Sequence, residues 1–273
     1  KYDPISHDEF FSLYSFFNNV DEDGLIGYGI TAPKPNLTIN KKDINNDLSF
    51  VSLPDSISDV TLMVMKETEN LRNTYVLNRG SYDSPTRLVK PSTPKAVLEF
   101  DDNKYPSNRI GLSKWFFDKD NPLTSRVTVK RLWQQFFGVG IVATPDDFGS
   151  QGNKPVNPEL LDWLAYTFQN KDNWDTKKFI NRLVMSSTYR QSSKVKKENR
   201  LIDSDNTYLA NYPRQKLSAE MIRDNALATS KMLVKKVGGP SVKPMQPPGL
   251  WDEVTGGGGG SLAFYVPDSG ENL

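Results

Sequence analysis

The sequence predicts a mainly α-helical fold with a small β element and long irregular connections. Bulky apolar residues recur at helical spacing behind capping residues in several stretches, whereas only two short runs are rich in β-branched residues. Proline and glycine cluster between these stretches, which indicates long connections. With 273 residues, the chain is long enough for one large domain or two small ones.

The first predicted helix covers residues 7–19 and carries a dense set of aromatic side chains. Ser6 precedes it and Glu9 follows three residues later, which is the spacing of a capping box. Residues 21–46 then become polar and are interrupted by glycine and proline, so we expect a loop or the stub of an insertion there.

Two short apolar runs, at 60–66 and 74–79, predict strands that pair as a looped hairpin in a small sheet. Helical spacing dominates after the prolines that follow this region. Five further helices are predicted, at 108–118, 124–137, 158–170, 175–189 and 218–236.

The last three of these helices have clear capping residues. Asn157 precedes a proline at the first helical position, Asp175 and Ser218 cap the next two helices, and Gly238 closes the last. The tail beyond includes five consecutive glycines at 256–260, which cannot form a core alone. We therefore expect the tail to lie on the domain or to be mobile.

The composition argues against several classes of protein. Lysine and arginine total 34 against 33 aspartate and glutamate, without the basic face that nucleic-acid binding needs. The absence of cysteine excludes disulfides, thiolate metal sites and covalent haem attachment within this sequence, and one histidine leaves few ways to build a metal site. No apolar run is long enough for a transmembrane segment, and the first twenty residues do not resemble a secretory signal.

Several motifs occur in the order and spacing of one known family. The sequence resembles the C-terminal domain of unknown function of the large planctomycete-type cytochrome-c-associated proteins, which are also found in Bacteroidetes. The resemblance runs from about Tyr75 to the C-terminus. The motifs are RLW at 131–133, FGVG at 137–140, ATPDDFG at 143–149, PELLDWLA at 158–165, STYRQSS at 187–193 and LSAE at 217–220, followed by Arg223 and Asp224.

Residues 1–20 resemble the end of a cytochrome-like domain that precedes this one in the family. There, a stretch like KYDPI at 1–5 follows a Cys-x-x-Cys-His-type segment. The resemblance therefore implies no cofactor within this chain, but haem c in the parent protein upstream of Lys1. It also implies a division into the tail of the upstream domain plus a loop (1–46) and a mainly helical C-terminal domain (47–273), truncated at its C-terminus.

Members of this family resemble exported proteins of polysaccharide-degrading bacteria. This implies an extracytoplasmic location, in the periplasm or at the cell surface, with other domains of the parent chain or a cell-envelope complex as partners. One hypothesis is a redox or electron-transfer role linked to polysaccharide catabolism. The other is a non-catalytic glycan- or protein-binding scaffold in a cell-surface glycan-uptake assembly, and the sequence assigns no catalytic residue to either.

Six residues are candidates for a ligand-binding cleft, since aromatic faces stack on sugars while arginine and aspartate hold hydroxyl or acidic groups. Structural roles compete with this interpretation: the arginines can form ion pairs, an aspartate of the Asp146 and Asp147 pair can close a turn, and the tryptophans can fill the core. The candidates are Arg131, Asp147, Trp163, Tyr189, Arg190 and Arg223.

His7 could serve as a haem ligand with Met63 or Met65, because these residue types supply axial ligands in cytochromes. The sequence favours a simpler interpretation. His7 falls at the exposed start of a helix, and the two methionines share one face of a predicted strand that needs a core.

Overall fold

The computed structural model describes residues 3–22, 32–40, 42–43, 59–144, 146–235, 241–247, 249–255 and 265–270. Within these ranges the fold is mainly α-helical with two small sheets, as predicted. No helix in the described ranges is both long enough and apolar enough to span a membrane. The five glycines at 256–260 and Gly238, the predicted end of the 218–236 helix, lie outside the described residues.

The helices are α1 (His7–Ser15), α2 (Arg109–Phe116), α3 (Pro122–Phe137), α4 (Pro158–Tyr166), α5 (Thr176–Val184), α6 (Ser187–Arg190), α7 (Lys197–Ile202), α8 (Ala219–Thr229) and α9 (Leu250–Thr255). The strands are β1 (Asn36–Asn40), β2 (Asp59–Met63), β3 (Thr74–Leu77) and β4 (Pro85–Val89).

The chain divides into two compact units. Unit 1 comprises Lys1–Leu37 and Thr61–Glu220, and unit 2 comprises Thr38–Val60 and Met221–Leu273. Unit 2 contains α9 and most of α8, and Tyr265 there donates its hydroxyl to the Pro244 carbonyl at 2.6 Å. The division at residues 46 and 47 remains a prediction.

Three of the predicted N-terminal caps form as the sequence indicates. Ser6 and Glu9 make the complete capping box of α1. Asn157 accepts the Leu160 N–H at 2.9 Å, and Asp175 accepts the Lys178 N–H at 3.0 Å.

Four predicted helices end at least three residues earlier than expected. The helix predicted at 218–236 ends at Thr229, and the described residues 230–235 after it are not helical. The segment at 7–19 leaves the α-helix after Ser15, where the next two amides bond three residues back. The helix predicted at 158–170 becomes a π-helical turn over Thr167–Lys171. The helix predicted at 175–189 is interrupted after Val184, because Ser186 starts a new helix by accepting the Tyr189 N–H.

The predicted pairing of strands was wrong. β3 pairs with β4 in an antiparallel hairpin, and β2 pairs with β1, which lies in the stretch predicted to be a loop. Pro85 starts β4, a position where the missing N–H of proline is tolerated. β3 therefore pairs across the shorter of its two connections, residues 78–84, and not across the longer one, residues 64–73.

The β3–β4 hairpin packs against α1. Thr74 and Val76 of β3 are buried, whereas Tyr75 between them is exposed, which is the alternation of a strand with one covered face. Met63 and Met65 are exposed, so the interpretation of these methionines as core residues was wrong.

The helical core of unit 1 lies among α3, α4, the π-helical turn and α5. Its buried members include Phe137, Leu164, Phe168 and Phe179. A second cluster joins Phe16 to side chains around α2. The two clusters bury Trp133 and Trp115, as predicted, whereas Trp163 is half exposed.

Candidate functional site

A buried lysine fixes the loop that connects α3 to α4, which we call the α3–α4 loop (residues 138–157). Lys130 of α3 is 0% exposed, and its Nζ donates to the Thr144 carbonyl at 2.8 Å. The same Nζ lies 4.2 Å from the centre of the Phe148 ring. Burial lowers the pKa of Lys130; the charge of Asp146 opposes this shift.

The tip of the α3–α4 loop is closed by its own polar side chains. Thr144 donates its hydroxyl to the Asp147 carbonyl at 2.9 Å and accepts the Asn153 N–H at 3.0 Å. The Asp147 carboxylate accepts the Gly149 N–H at 2.7 Å. Asp147 therefore stabilises the turn in which it lies.

The loop also binds the N-terminal segment of unit 1. Asp3 accepts the Ser150 N–H at 2.8 Å, which links residues 147 positions apart. A Cβ atom on Gly149 would lie 2.0 Å from Asp3 Oδ1, so only glycine lets the carboxylate approach this closely. Asp3 of the KYDPI motif thus bonds to the residue that directly follows the ATPDDFG motif.

Tyr189 and Arg190 lie on α6 in different surroundings. The Tyr189 ring packs 5.9 Å from Phe137 and 5.2 Å from Tyr212, which donates its hydroxyl to the Phe136 carbonyl. Arg190 is exposed at the end of α6.

Trp163 lies on the outer face of α4 with a cation beside it. The Arg182 guanidinium is 5.8 Å from the Trp163 ring centre and donates to the buried Asp172 carboxylate at 2.6 Å. Arg182 thus forms the structural ion pair that its position in the sequence allows.

Arg131 is exposed on α3, next to Lys130. Arg223 belongs to unit 2, where its Nη1 lies 3.9 Å from the Asp224 carboxylate. Of the five candidates in unit 1, no two are joined by a hydrogen bond, an ion pair or a ring contact in the part of the chain that the structure describes. Their assignment to one ligand-binding cleft remains a prediction.

Two residues of this region were not identified from the sequence. Lys130 is one lysine among many, and nothing in its spacing distinguishes a buried ammonium from an exposed one. Asp3 belongs to the KYDPI motif, but no sequence pattern links it to Ser150.

The ring of His7, the candidate haem ligand, packs 5.1 Å from that of Phe11. Nowhere in the described ranges do three or more His, Asp or Glu side chains cluster as a metal site would require.

Comparison with known proteins identifies one family. A family model described as PSD1, a protein of unknown function (DUF1553), matches residues 108–271. No curated protein and no solved structure shows significant similarity to the chain. The matched region includes α2 to α9 and the whole α3–α4 loop. Because it covers more than half of the sequence, the chain belongs to the PSD1 family of proteins of unknown function.

Proposed function

We propose that this chain is the C-terminal scaffold of an extracytoplasmic, multi-domain cytochrome-c-associated protein with a redox or electron-transfer role linked to polysaccharide catabolism. In this proposal the helical part of unit 1 supplies no ligand to the redox centre. It holds the segment around Asp3 in place, and so orients the haem-bearing part of the parent protein.

The observation that carries this proposal is the contact between Asp3 and the α3–α4 loop. The loop is stiffened by Lys130 from within the core and presents the Ser150 N–H to the Asp3 carboxylate. A hydrogen bond from a fixed backbone amide to a carboxylate is directional and stronger than one between neutral groups. The loop therefore defines where this segment leaves the helical core.

The residues of this chain fit a supporting role toward haem c better than a ligating one. The sequence contains no cysteine for thioether bonds, and its single histidine packs against Phe11. When bound in the parent protein, haem c would supply one-electron chemistry. The contribution of this chain would be orientation of that group and coverage from solvent.

The first test is the intact mass of the protein from its native source under denaturing conditions, together with its haem absorbance. We expect a mass well above 30.8 kDa with haem covalently attached. A mass equal to that of the bare chain without haem would contradict the redox role.

The second test addresses the scaffold. In the same full-length protein, Asp3→Ala should accelerate protease cleavage between the haem-bearing part and unit 1, because the segment loses its attachment to Ser150. The matched control is Asp205→Ala, which removes an exposed carboxylate elsewhere. Equal cleavage rates in the two variants would contradict the scaffold.

A second candidate function is a non-catalytic glycan- or protein-binding component of a cell-surface assembly. The exposed aromatic residues Trp163 and Tyr166 on α4 favour it, since exposed rings beside charged groups are typical of binding surfaces. This role requires no haem. A full-length protein that lacks haem but binds glycans would support it over the redox role.

A further inference from the structure

A polar cleft lies between the start of α3 and the end of α4, and none of the six candidate ligand-binding residues lines it. Its volume is about 380 Å³, which is within the range of small-ligand sites. Ser125 and Ala165 are buried residues of its lining, and Tyr166, Gln169 and Asn170 border it from α4 and the π-helical turn.

The charges around this cleft cancel. Lys119 and Arg126 provide two cationic groups, and Asp120 and Asp162 provide two anionic ones. Arg126 and Asp162 also pair directly, with Nε 2.7 Å from Oδ1. A neutral lining gives neither an anion nor a cation an electrostatic advantage, so the cleft favours an uncharged ligand.

The hydrogen-bonding groups of the cleft are partly committed to the fold. Gln169 donates its amide to the Asp118 carbonyl at 3.1 Å, and Asn170 donates to the Tyr166 carbonyl at 3.0 Å. Their amide oxygens receive no hydrogen bond from the described residues, and these oxygens can accept donors from a ligand. Hydroxyl groups match such acceptors.

The buried residue Ser125 adds a hydroxyl to the lining of the cleft. Ser125 is 3% exposed, and its hydroxyl makes no hydrogen bond with any described residue, although the side chain borders the cleft. The hydroxyl is therefore available to a ligand or a water molecule in the cleft, as a donor or as an acceptor.

We infer that this cleft binds a small neutral saccharide. The exposed Tyr166 ring provides an apolar face for sugar C–H groups, and the amide oxygens of Gln169 and Asn170 accept its hydroxyls. Ser125 also lines the cleft, and its hydroxyl can donate to or accept from a ligand hydroxyl. The inference deepens the second candidate function by naming a site and a ligand class, and it does not depend on the scaffold role of Asp3.

The test is a titration of the whole ¹⁵N-labelled chain, followed by amide chemical shifts, with a panel of neutral sugars: glucose, galactose, mannose, xylose, cellobiose and maltose. Glucuronate and inorganic phosphate are the charged comparison. We expect at least one neutral sugar to give saturable shifts within 119–126 and 162–170 at millimolar concentration, with weaker or no effect from the charged compounds.

Tyr166→Ala should weaken the binding of that sugar by about fivefold or more, because the aromatic face is lost. Tyr82→Ala, which removes a tyrosine that is 90% exposed outside the cleft, should leave binding unchanged. If the spectrum of Tyr166→Ala shows loss of folding, Asn170→Ala replaces it, because Asn170 is exposed.

Three results would overturn the inference: no sugar of the panel shifts the cleft amides, the charged compounds bind there more tightly, or the cleft variants bind as the unmodified chain does. None of these readouts involves Asp3 or haem. A failure here is therefore distinguishable from a failure of the scaffold role.

Discussion

The helical core of unit 1 and the adjacent α3–α4 loop are stabilised by different kinds of contact. In the core, Phe137 and Phe179 are 0% exposed and pack against hydrocarbon and aromatic rings. In the loop, Thr144 and Asp147 bond to backbone groups, and Ser150 donates its N–H to the distant Asp3. The contacts of the core are apolar and non-directional, whereas those of the loop are directional hydrogen bonds.

The two kinds of contact therefore have different effects: one mainly stabilises the fold, and the other mainly positions a segment of the chain. Burial of large apolar side chains contributes most of the free energy of folding, but it specifies few exact distances. A hydrogen bond contributes less net free energy, although it fixes two groups at a defined distance. Changes in the core should therefore alter the stability of unit 1, whereas changes in the loop should alter the placement of the Asp3 segment.

The largest expected effect is that of Phe137→Ala. Phe137 is fully buried and stacks on Trp133 with ring centres 4.1 Å apart, so the substitution leaves a cavity in the core. We expect a loss of about 3–5 kcal/mol in the free energy of unfolding, measured by urea denaturation. Phe10→Ala, which alters a side chain that is 57% exposed, is the matched control. Equal losses in the two variants would show that this cluster is not the main core.

The next effect concerns acid stability around Asp118, just beyond α2. Burial opposes ionisation of this carboxylate, but hydrogen bonds from Lys104, Tyr105 and the Asp120 N–H outweigh it and lower the pKa to about 2. A lowered pKa means that the folded state favours the ionised form. The resulting stabilisation is complete above the unfolded-state pKa, near 3.8, and is lost as the pH falls through the folded-state pKa.

Between about pH 5 and pH 2, the unmodified chain should lose about 2 kcal/mol more unfolding free energy than Asp118→Asn, which cannot ionise. Urea denaturation at a series of pH values measures this difference. Parallel pH profiles for the two proteins would contradict the expectation.

Lys130→Met should have a smaller and local effect. The substitution removes the hydrogen bond to the Thr144 carbonyl, but it also removes the cost of burying an ammonium group, so the two contributions partly offset each other. We expect hydrogen exchange of the Asn153 amide to accelerate about tenfold while the core amides change little. Lys114→Met, at an exposed position of α2, is the control. Unchanged exchange at Asn153 would mean that Lys130 does not fix the loop.

The smallest effect on stability is that of Gly149→Ala, which displaces the Asp3 carboxylate without entering the core. We expect a loss of about 1 kcal/mol or less in the free energy of unfolding. Because Asp3→Ala removes the same contact, the double variant should lose no more than the larger single loss. Additive losses would show that Gly149 and Asp3 act independently.

The sequence predicted the helices of the core well because their determinants are local. Asn157 and Asp175 cap their helices as expected, and the spacing of bulky residues gives the buried faces. The strand pairing could not be predicted in the same way. The choice of β4 rather than β2 as the partner of β3 depends on the competition between two connections, which no short sequence pattern encodes.

The loop contacts were harder still to predict. The acidic pair at Asp146 and Asp147 indicated a turn, and Asp147 does accept a backbone N–H within it. The burial of Lys130 and the contact of Asp3 with Ser150 bring together residues far apart in the sequence. Such contacts leave no local pattern, so only the structure reveals them.

Hydrogen exchange of the Ser150 amide tests the central claim most directly, because this N–H is the donor to Asp3. In the unmodified chain we expect it to be protected, and in Asp3→Ala and Gly149→Ala we expect exchange to accelerate about tenfold, with no change in Asp205→Ala. If Ser150 exchanges at the same rate in all four proteins, the α3–α4 loop does not hold the N-terminal segment and the proposed scaffold is wrong.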